Sequence, residues 1–328
     1  MKKVLVTGGA GYIGSVLVPK LLQKNYKVIV LDRLFFGMDG LKNMESNKNL
    51  QVVKGDIRDT SLIDKLTRGI DAIIHLAAIS NDPSGELNPD LTVKVNYKAT
   101  ANLVKIAKKN GVRRFINASS SSVYGIKEEP DVTEELPLEP LTIYSKTKAW
   151  AEEVVRESAD KTFTAVSIRC ATVCGYSPRM RLDLTVNILT AHAINKGIIT
   201  VFGGEQKRPN IQIEDITDWY INLLKVQEEK ITGEVFNAGY ENYTIMEIAK
   251  MVKNIVGKHI EIKKEETRDR RSYHICSEKI KRVLGFKPEK TVKDAIMDVK
   301  DAFERGKIKN WEDTNYYNVK KMKLLRIE

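Results

Sequence analysis

The chain opens with a short apolar strand that runs directly into a glycine-rich turn. Val4–Val6 leads into Thr7–Gly14, and an amphipathic stretch then continues to Gln23. Glycine is required where a strand turns sharply, where the backbone approaches a phosphate and where a helix packs closely on a strand. The start of the helix adds amide donors and a partial positive charge. This pattern predicts a loop that binds the pyrophosphate of a dinucleotide, formed by Gly8, Gly11, Tyr12, Ile13 and Gly14.

The first half of the chain repeats this alternation of strand and helix. The predicted strands are Lys3–Thr7, Tyr26–Asp32, Leu50–Gly55, Ala72–His75, Arg114–Ala118 and Thr164–Arg169. Helical spacing of apolar residues predicts helices over Tyr12–Gln23, Thr60–Leu66, Pro89–Asn110 and Ser145–Ser158. Strands that are continuously apolar are covered on both faces. We therefore expect an α/β fold with a Rossmann-type, doubly wound parallel sheet.

The second half is less regular and predicts a smaller, mixed α/β substrate domain. We expect the dinucleotide domain to span residues 1–168, with 209–238 returning to it, and the substrate domain to span 169–208 and 239–328. The last stretch, Lys307–Glu328, is charged and lacks periodicity. It is interpreted either as an arm over a partner subunit or as a frayed end.

Composition narrows the function classes. The formal net charge is +11, but the lysines are spread along the helical stretches and are not interleaved with aromatic residues, which argues against nucleic-acid binding and favours an anionic small molecule. The apolar runs are too short for a membrane helix. Cys170, Cys174 and Cys276 are too scattered for a disulfide framework, and neither they nor His75 have zinc-like spacing. We expect a cytoplasmic protein without a metal and without a membrane partner.

Further cofactor contacts are expected where later strands end. Asp32 closes the second strand and provides the acceptor that a ribose diol requires, which favours NAD over NADP, although the adjacent Arg33 weakens that preference. Candidate contacts after the third and fourth strands are Asp56, Ile57, Leu76, Ala77 and Ala78.

Tyr144 and Lys148 are four residues apart at the start of a predicted helix, so they share one face. A phenol is a poor base at neutral pH, but a neighbouring ammonium and a cationic nicotinamide favour its phenolate. The pair therefore predicts a base that takes a proton from a substrate hydroxyl as hydride leaves the same carbon.

Together these motifs resemble the extended short-chain dehydrogenase/reductase family, and within it the NAD-dependent nucleotide-sugar epimerases and dehydratases. The resemblance runs from Val4 to about Pro288. It is carried by Thr7–Gly14, Asp32, Asp56-Ile57, His75–Ala78, Asn96, Ser119–Gly125, Tyr144–Lys148 and Arg208–Asp215. The resemblance implies NAD as cofactor, contacts from Asn96, and Ser120 as a third catalytic residue beside Tyr144 and Lys148. It also implies a homodimer built on helices 89–110 and 145–158.

The resemblance further implies a nucleotide-diphosphate sugar as substrate. Asn187 corresponds to a phosphate contact and Arg208 to a diphosphate contact, while Arg271 is the choice for a second arginine. The full set of expected substrate contacts is Ser80, Ser121, Thr172, Asn187, Val201, Arg208 and Arg271.

The departures from the family pattern bear on the reaction. In the 4,6-dehydratases an acid pair follows the catalytic hydroxyl, whereas Ser121 and Ser122 stand here, so elimination loses its general acid. Glu128 and Glu129 lie near enough in sequence to keep dehydration as a lesser alternative. The leading interpretation is a 4-epimerase that works by transient oxidation at C4. A C4 oxidoreductase that releases a keto-hexose or keto-heptose remains open. A dinucleotide-sensing or RNA-binding protein is a non-enzymatic alternative, which the Tyr144 and Lys148 pair argues against.

Overall fold

Seven parallel strands form the central sheet of the computed structural model, which describes residues 3–267 and 272–327. The strands are β1 (Lys3–Thr7), β2 (Lys27–Asp32), β3 (Leu50–Lys54), β4 (Ala72–His75), β5 (Arg114–Ser120), β6 (Thr164–Cys170), β7 (Thr172–Cys174), β8 (Ile198–Phe202), β9 (Lys207–Gln212), β10 (Val235–Ala238), β11 (Glu241–Thr244) and β12 (Glu261–Glu265). The order across the central sheet is β10-β6-β5-β4-β1-β2-β3. The predicted doubly wound parallel sheet is confirmed.

Helices cover this sheet and its extension. They are α1 (Gly14–Gln23), α2 (Thr60–Thr67), α3 (Asp82–Gly85), α4 (Pro89–Thr92), α5 (Ala99–Lys109), α6 (Ile143–Ser158), α7 (Thr185–Lys196), α8 (Ile213–Leu223), α9 (Ile245–Val256), α10 (Glu278–Leu284), α11 (Val292–Glu304) and α12 (Asn318–Leu324). A π-helical turn, Val93–Lys98, joins α4 to α5, so the predicted helix 89–110 is continuous but not uniformly α-helical. None of the helices in the described ranges combines the length and the apolar character that a membrane span requires.

The strand order reverses between β1 and β4. In open parallel sheets, ligands bind in the crevice outside the carboxyl ends of the strands at this point. Thr7 at the end of β1 and His75 at the end of β4 are paired in register there. The fold therefore places the glycine-rich turn beside the segment that follows β4.

The second half builds two small sheets beside the large one. Strands β11, β9 and β7 form one, and β12 pairs with β8 in the other. The predicted return of residues 209–238 is corrected in part, because β9 belongs to the small three-stranded sheet while β10 joins β6 in the central sheet. The segment Ser272–Ile275 forms no strand.

The described part of the C-terminal stretch is folded, so the expectation of a frayed end is wrong, whereas an arm over a partner subunit stays a prediction. It contains α12, and Ile308, Tyr317 and Met322 are buried in the main hydrophobic core. Sequence periodicity missed this segment because its core contacts come from isolated side chains in turns and one short helix.

A buried ion pair fastens α6 to the central sheet. The Nε of Arg169 on β6 donates to Oε1 of Glu152 on α6 at 3.0 Å, and Nη1 donates to the Tyr124 hydroxyl at 2.6 Å. That hydroxyl donates in turn to the Asn237 side chain on β10 at 2.8 Å. Both charged side chains are almost fully buried. The network therefore fixes the helix that carries Tyr144 and Lys148 relative to β5 and β6.

We predict that Arg169→Met lowers the free energy of unfolding by about 3–5 kcal/mol, because it leaves the Glu152 carboxylate buried without its partner. The double variant Arg169→Met with Glu152→Met removes both charges and is expected to recover most of that loss. Urea denaturation of the three proteins measures the effect. A double variant that is less stable than Arg169→Met would contradict this account.

Candidate active site

The glycine-rich turn is shaped so that its backbone forms one wall of a cavity. Gly8 has φ +71°, and a Cβ there would lie 2.7 Å from the backbone nitrogen of Ala77. A Cβ on Gly14 would come within 2.5 Å of the Gly9 backbone, where α1 begins. Side chains are therefore excluded from these two positions. All five predicted loop residues line the cavity, namely Gly8, Gly11, Tyr12, Ile13 and Gly14.

Asp32 lies at the end of β2 and also lines the cavity. Its carboxylate accepts hydrogen bonds from the backbone nitrogens of Ala10 at 3.0 Å and Leu34 at 2.8 Å. Burial raises the pKa of Asp32, and these hydrogen bonds oppose that rise. Arg33 is engaged elsewhere, with its guanidinium 2.8 Å from Asp56 and stacked over Phe35. A carboxylate held in place beside the glycine turn fits the ribose of a dinucleotide.

The segments after β3 and β4 complete the cofactor half of the cavity. Asp56, Ile57, Leu76, Ala77 and Ala78 all line it, as the sequence predicts. Asn96 does not line it, and a direct contact with the cofactor stays a prediction. Its side chain accepts from the backbone nitrogen of Ile79 at 2.8 Å and donates to the Ile79 carbonyl at 3.0 Å, so it holds the segment after β4 against the π-helical turn.

His75 is fully engaged inside the protein. Its Nδ1 lies 2.7 Å from the Thr7 hydroxyl, and its Nε2 lies 2.9 Å from the Thr100 hydroxyl. Burial lowers the pKa of His75 to about 3, so the ring is neutral. Among the described residues, no group of three or more His, Cys, Asp or Glu side chains is arranged to hold a metal ion.

Tyr12 and Asn187 connect the glycine turn to the loop after β7. The Tyr12 hydroxyl donates to the Gly175 carbonyl at 2.7 Å and accepts from the Asn187 side chain at 3.0 Å. Asn187 also accepts from the Gly175 nitrogen and donates to the Arg181 carbonyl. Its side chain is completely buried, and Asn187 does not line the cavity. Its amide holds this loop, and a contact with a phosphate stays a prediction.

Tyr144, Lys148 and Ser120 converge on the same cavity. Helix α6 begins beside Asn81 and Asp82, capped by reciprocal hydrogen bonds between Thr142 and Ser145, so Tyr144 lies in its first turn. The Lys148 ammonium donates to the Ala118 carbonyl on β5 at 2.8 Å and lies 6.0 Å from the centre of the Tyr144 ring.

Ser120 ends β5 and faces the Tyr144 hydroxyl, to which it is hydrogen-bonded. Its own oxygen lies 2.9 Å from the Ser122 oxygen. The phenol, the serine hydroxyl and the ammonium thus form one cluster at the carboxyl ends of the strands.

The electrostatics of this cluster differ from the sequence expectation. Burial raises the pKa of Tyr144 above its ordinary value, and the hydrogen bond from Ser120 and the charge of Arg181 oppose that rise. Burial also lowers the pKa of Lys148 to about 8. In the protein alone, Tyr144 is therefore a protonated phenol, and the ammonium is not sufficient to make it a phenolate at neutral pH.

The predicted substrate contacts divide into three groups. Ser80, Ser121, Thr172 and Arg208 line the cavity. The Arg208 guanidinium lies over the Tyr273 ring, 5.1 Å from its centre. Val201 is completely buried on β8, in the core of the small sheets, and it does not line the cavity, so its contact with the substrate stays a prediction. Arg271 lies outside the described residues.

Several cavity residues were missed by the sequence reasoning. Arg181 binds Asp183 through its Nε at 2.9 Å, and its Nη1 donates to the Ser80 hydroxyl at 3.3 Å. The backbone nitrogen of Asn318 on α12 donates to Asp183 at 3.0 Å. The presence of two arginines in the short segment 178–183 is the sequence feature that could have indicated this part of the cavity. The other missed residues that matter here are Phe36, Arg179, Met322 and Ile327.

The resulting cavity has a volume of about 560 Å³ and extends from the glycine turn to Arg208. A model of the NAD-dependent epimerase/dehydratase family matches residues 4–239. The chain belongs to this family. It is therefore an enzyme of the extended short-chain dehydrogenase/reductase type with NAD as its cofactor.

Known proteins similar to this chain catalyse different reactions. A UDP-glucose 4-epimerase of Lactobacillus helveticus is 30% identical over 95% of this chain and 99% of the relative. A UDP-glucuronic acid 4-epimerase of Bacillus cereus, solved with UDP-glucuronic acid and NAD, has a TM-score of 0.83 and 28% identity over 92% of this chain and 99% of that one. A dTDP-glucose 4,6-dehydratase of Streptomyces venezuelae, solved with NAD, has a TM-score of 0.83 and 27% identity over 93% of this chain and 98% of that one. The similarities therefore establish nucleotide-sugar chemistry without selecting one reaction.

We predict that Tyr144→Phe lowers turnover at least about 100-fold, because it removes the proton acceptor, and leaves NAD affinity within a factor of about two. Isothermal titration calorimetry measures the affinity, and sugar turnover measures the activity. Tyr243→Phe is the matched control, because its hydroxyl donates to the Glu241 carboxylate at 2.8 Å and the residue does not line the cavity. A Tyr144→Phe protein that retains more than a few per cent of activity would remove Tyr144 from the mechanism.

Proposed function

We propose that this enzyme is a nucleotide-sugar 4-epimerase that oxidises the substrate transiently at C4. The observation that carries the proposal is the cluster of Tyr144, Ser120 and Lys148 in a cavity where Ser121 and Ser122 follow the catalytic hydroxyl. The cluster supports proton removal from a carbinol. The two serines offer no carboxylic acid for eliminating a neighbouring hydroxyl.

The proposed reaction is redox-neutral overall and needs no external oxidant or reductant. NAD supplies the site that takes the C4 hydride and later gives it back. Tyr144 takes the proton of the C4 hydroxyl, while Ser120 holds the same oxygen by a hydrogen bond and stabilises its changing charge. The keto-sugar then rotates in the cavity and presents the other face of C4. The hydride returns to that face, and Tyr144 returns the proton to the C4 oxygen.

Dehydration is disfavoured by the positions of the nearby carboxyl groups. Glu128 and Glu129, which the sequence left as candidates, are not among the described residues that line the cavity. Asp82 and Asp183 do line it. Asp82 accepts a hydrogen bond from the Thr142 hydroxyl at 2.6 Å, at the start of α6, and Asp183 is a poor acid. Burial raises its pKa, yet Arg181 and the Asn318 backbone outweigh that effect and hold the pKa below its ordinary value.

Enclosure of the cavity favours epimerisation over release of a keto-sugar. Asn318, Met322 and Ile327 of the C-terminal segment form part of its wall, opposite the catalytic cluster on α6 and β5. A keto-sugar held behind such a wall stays beside the cofactor long enough to be reduced again.

The substrate is proposed to be a nucleotide-diphosphate hexose. Arg208 is buried in the cavity wall on β9, and a guanidinium binds the oxygens of a diphosphate with good geometry. In this proposal the central sheet binds the dinucleotide, and the smaller sheets with their helices bind the nucleotide sugar. Similar proteins are named as enzymes of UDP-sugars and dTDP-sugars, which supports this class of substrate.

We also propose a cytoplasmic homodimer that pairs the helices around Tyr97 and Trp150. Trp150 is 43% exposed on α6, and its ring packs edge-on against Tyr97 at 5.6 Å. An exposed tryptophan that packs on a half-buried tyrosine of the adjacent helical segment is typical of an interface. The mass of the purified protein in solution tests this arrangement.

The reaction is tested with UDP-glucose, UDP-glucuronic acid and dTDP-glucose in heavy water, followed by proton NMR and by the absorbance of reduced nicotinamide. We expect one of these sugars to be converted to its C4 isomer, with no deuterium at C5 and no accumulation of reduced cofactor. Tyr144→Phe protein is the blank.

The other outcomes contradict the proposal in distinguishable ways. Deuterium at C5 together with loss of the C6 oxygen would show dehydration. Reduced cofactor formed in proportion to a released keto-sugar would show net oxidation.

A further inference from the structure

Arg179 is a buried arginine in the loop between β7 and α7, and it lines the cavity. Only 7% of its surface is exposed. Its guanidinium lies over the Phe36 ring at 3.7 Å, and Nη2 donates to the Asn318 side-chain oxygen at 2.7 Å. The guanidinium is thus held in a fixed position by an aromatic face and one neutral acceptor.

The charge of Arg179 is not compensated within the described part of the chain. Its buried Nε has no hydrogen-bond partner, and no carboxylate in the described ranges lies within ion-pair distance of it. Arg181, only two residues away, contrasts with it because it is paired with Asp183 at 2.9 Å. A buried charge without a partner is costly, so proteins retain one where a ligand brings the opposite charge.

The surroundings of Arg179 assign the missing anion to the cofactor half of the cavity. Arg181 and Asp183 of its own loop influence it electrostatically, and so do Asp32 and Tyr12 of the predicted dinucleotide site. Phe36, which carries the guanidinium on its ring, belongs to the loop after β2. Asp32 is occupied by two backbone amides and is not itself an ion-pair partner. Arg208, in contrast, lies over Tyr273 in the substrate half.

We propose that Arg179 binds the pyrophosphate of the dinucleotide, clamping it against the amides of the glycine turn. The glycine turn supplies neutral donors and a helix N-terminus on one side, and Arg179 supplies a fixed positive charge on the other. This inference rests on the NAD site and is independent of which sugar reaction the enzyme catalyses.

Asn318 positions this arginine. Besides accepting from Arg179, it donates from its side chain to the Ser80 hydroxyl at 3.0 Å and from its backbone to Asp183. One residue of the C-terminal helix therefore connects the pyrophosphate-binding guanidinium to the substrate side of the cavity.

The test uses Arg179→Met in the full chain, because methionine keeps an unbranched apolar side chain on Phe36 but removes the charge. Calorimetry with ADP-ribose and competition with adenosine separate the phosphate contacts from the base and ribose contacts. We expect the affinity for ADP-ribose to fall about 10- to 100-fold and the affinity for adenosine to stay within a factor of about two. Arg179→Lys is expected to recover part of the loss.

Two controls keep the result interpretable. Arg156→Met removes an exposed charge on α6 that is paired with Glu153, and it is expected to leave ADP-ribose binding unchanged. Thermal unfolding without ligand should show that Arg179→Met is at least as stable as the parent protein, because a buried uncompensated charge has been removed. If that variant fails to fold, Arg179→Lys and Arg179→Gln carry the comparison.

Several outcomes would overturn the proposal. Unchanged ADP-ribose affinity in Arg179→Met would show that the guanidinium does not contact the cofactor phosphates. An equal loss for adenosine would show that Arg179 only shapes the pocket. If Arg179→Met lowered the affinity for UDP but not for ADP-ribose, the anion bound by Arg179 would belong to the sugar nucleotide. If it lowered the affinity for NADP but not for ADP-ribose, that anion would be a ribose phosphate. Failure of the epimerase proposal would leave all of these binding results unaffected.

Discussion

The burial of the Lys148 ammonium against the end of β5 is the constraint on which the active site depends. In the described part of the chain its hydrogen bond goes to the Ala118 carbonyl, two residues before Ser120. That contact fixes the first turns of α6 to the strand that carries Ser120, and the buried pair of Arg169 and Glu152 fixes the rest of the helix to β6. Tyr144 therefore has one position available, beside Ser120 and facing the cavity. Burial of the Lys148 ammonium is unfavourable in free energy, as its lowered pKa shows. That desolvation is required to place an ammonium beside the reacting oxygen.

The topology of the sheet explains why residues distant in sequence meet at this point. Parallel strands bring their carboxyl ends to one edge, so the glycine turn after β1, Asp32 after β2, Ala77 after β4 and Ser120 at the end of β5 surround a single crevice. The loop after β7 and the C-terminal helix then close the open side. Tyr12 and Asn187 fasten that loop to the glycine turn, so the cofactor and substrate halves are mechanically connected. Arg179 and Arg181, two residues apart on the same loop, donate to Asn318 and Ser80, which are themselves hydrogen-bonded to each other.

The central sheet and the catalytic cluster were accessible from sequence because each rests on a local pattern with one physical meaning. A glycine turn between a strand and a helix, or a tyrosine and a lysine one helical turn apart, specifies its own geometry. The sequence did not reveal that Asn96, Asn187 and Val201 lie outside the cavity lining, because a sequence position says which residue is near a site but not whether its side chain points into it. The Asn187 amide is hydrogen-bonded to Tyr12, Gly175 and Arg181, and the spacing of residues in the sequence does not reveal these contacts. The role of Asn318 was missed because it contacts Ser80 across 238 residues of sequence.

The central claim is that Tyr144 becomes a base only when positive charge is added beside it, and its ultraviolet titration tests this most directly. Tyrosinate absorbance is recorded against pH for the protein with and without NAD, and the same curves for Tyr144→Phe are subtracted. Burial raises the pKa of Tyr144 in the free protein, so the account predicts that its phenolate appears only at high pH without NAD and at distinctly lower pH with NAD bound. Identical difference curves with and without NAD would contradict the account.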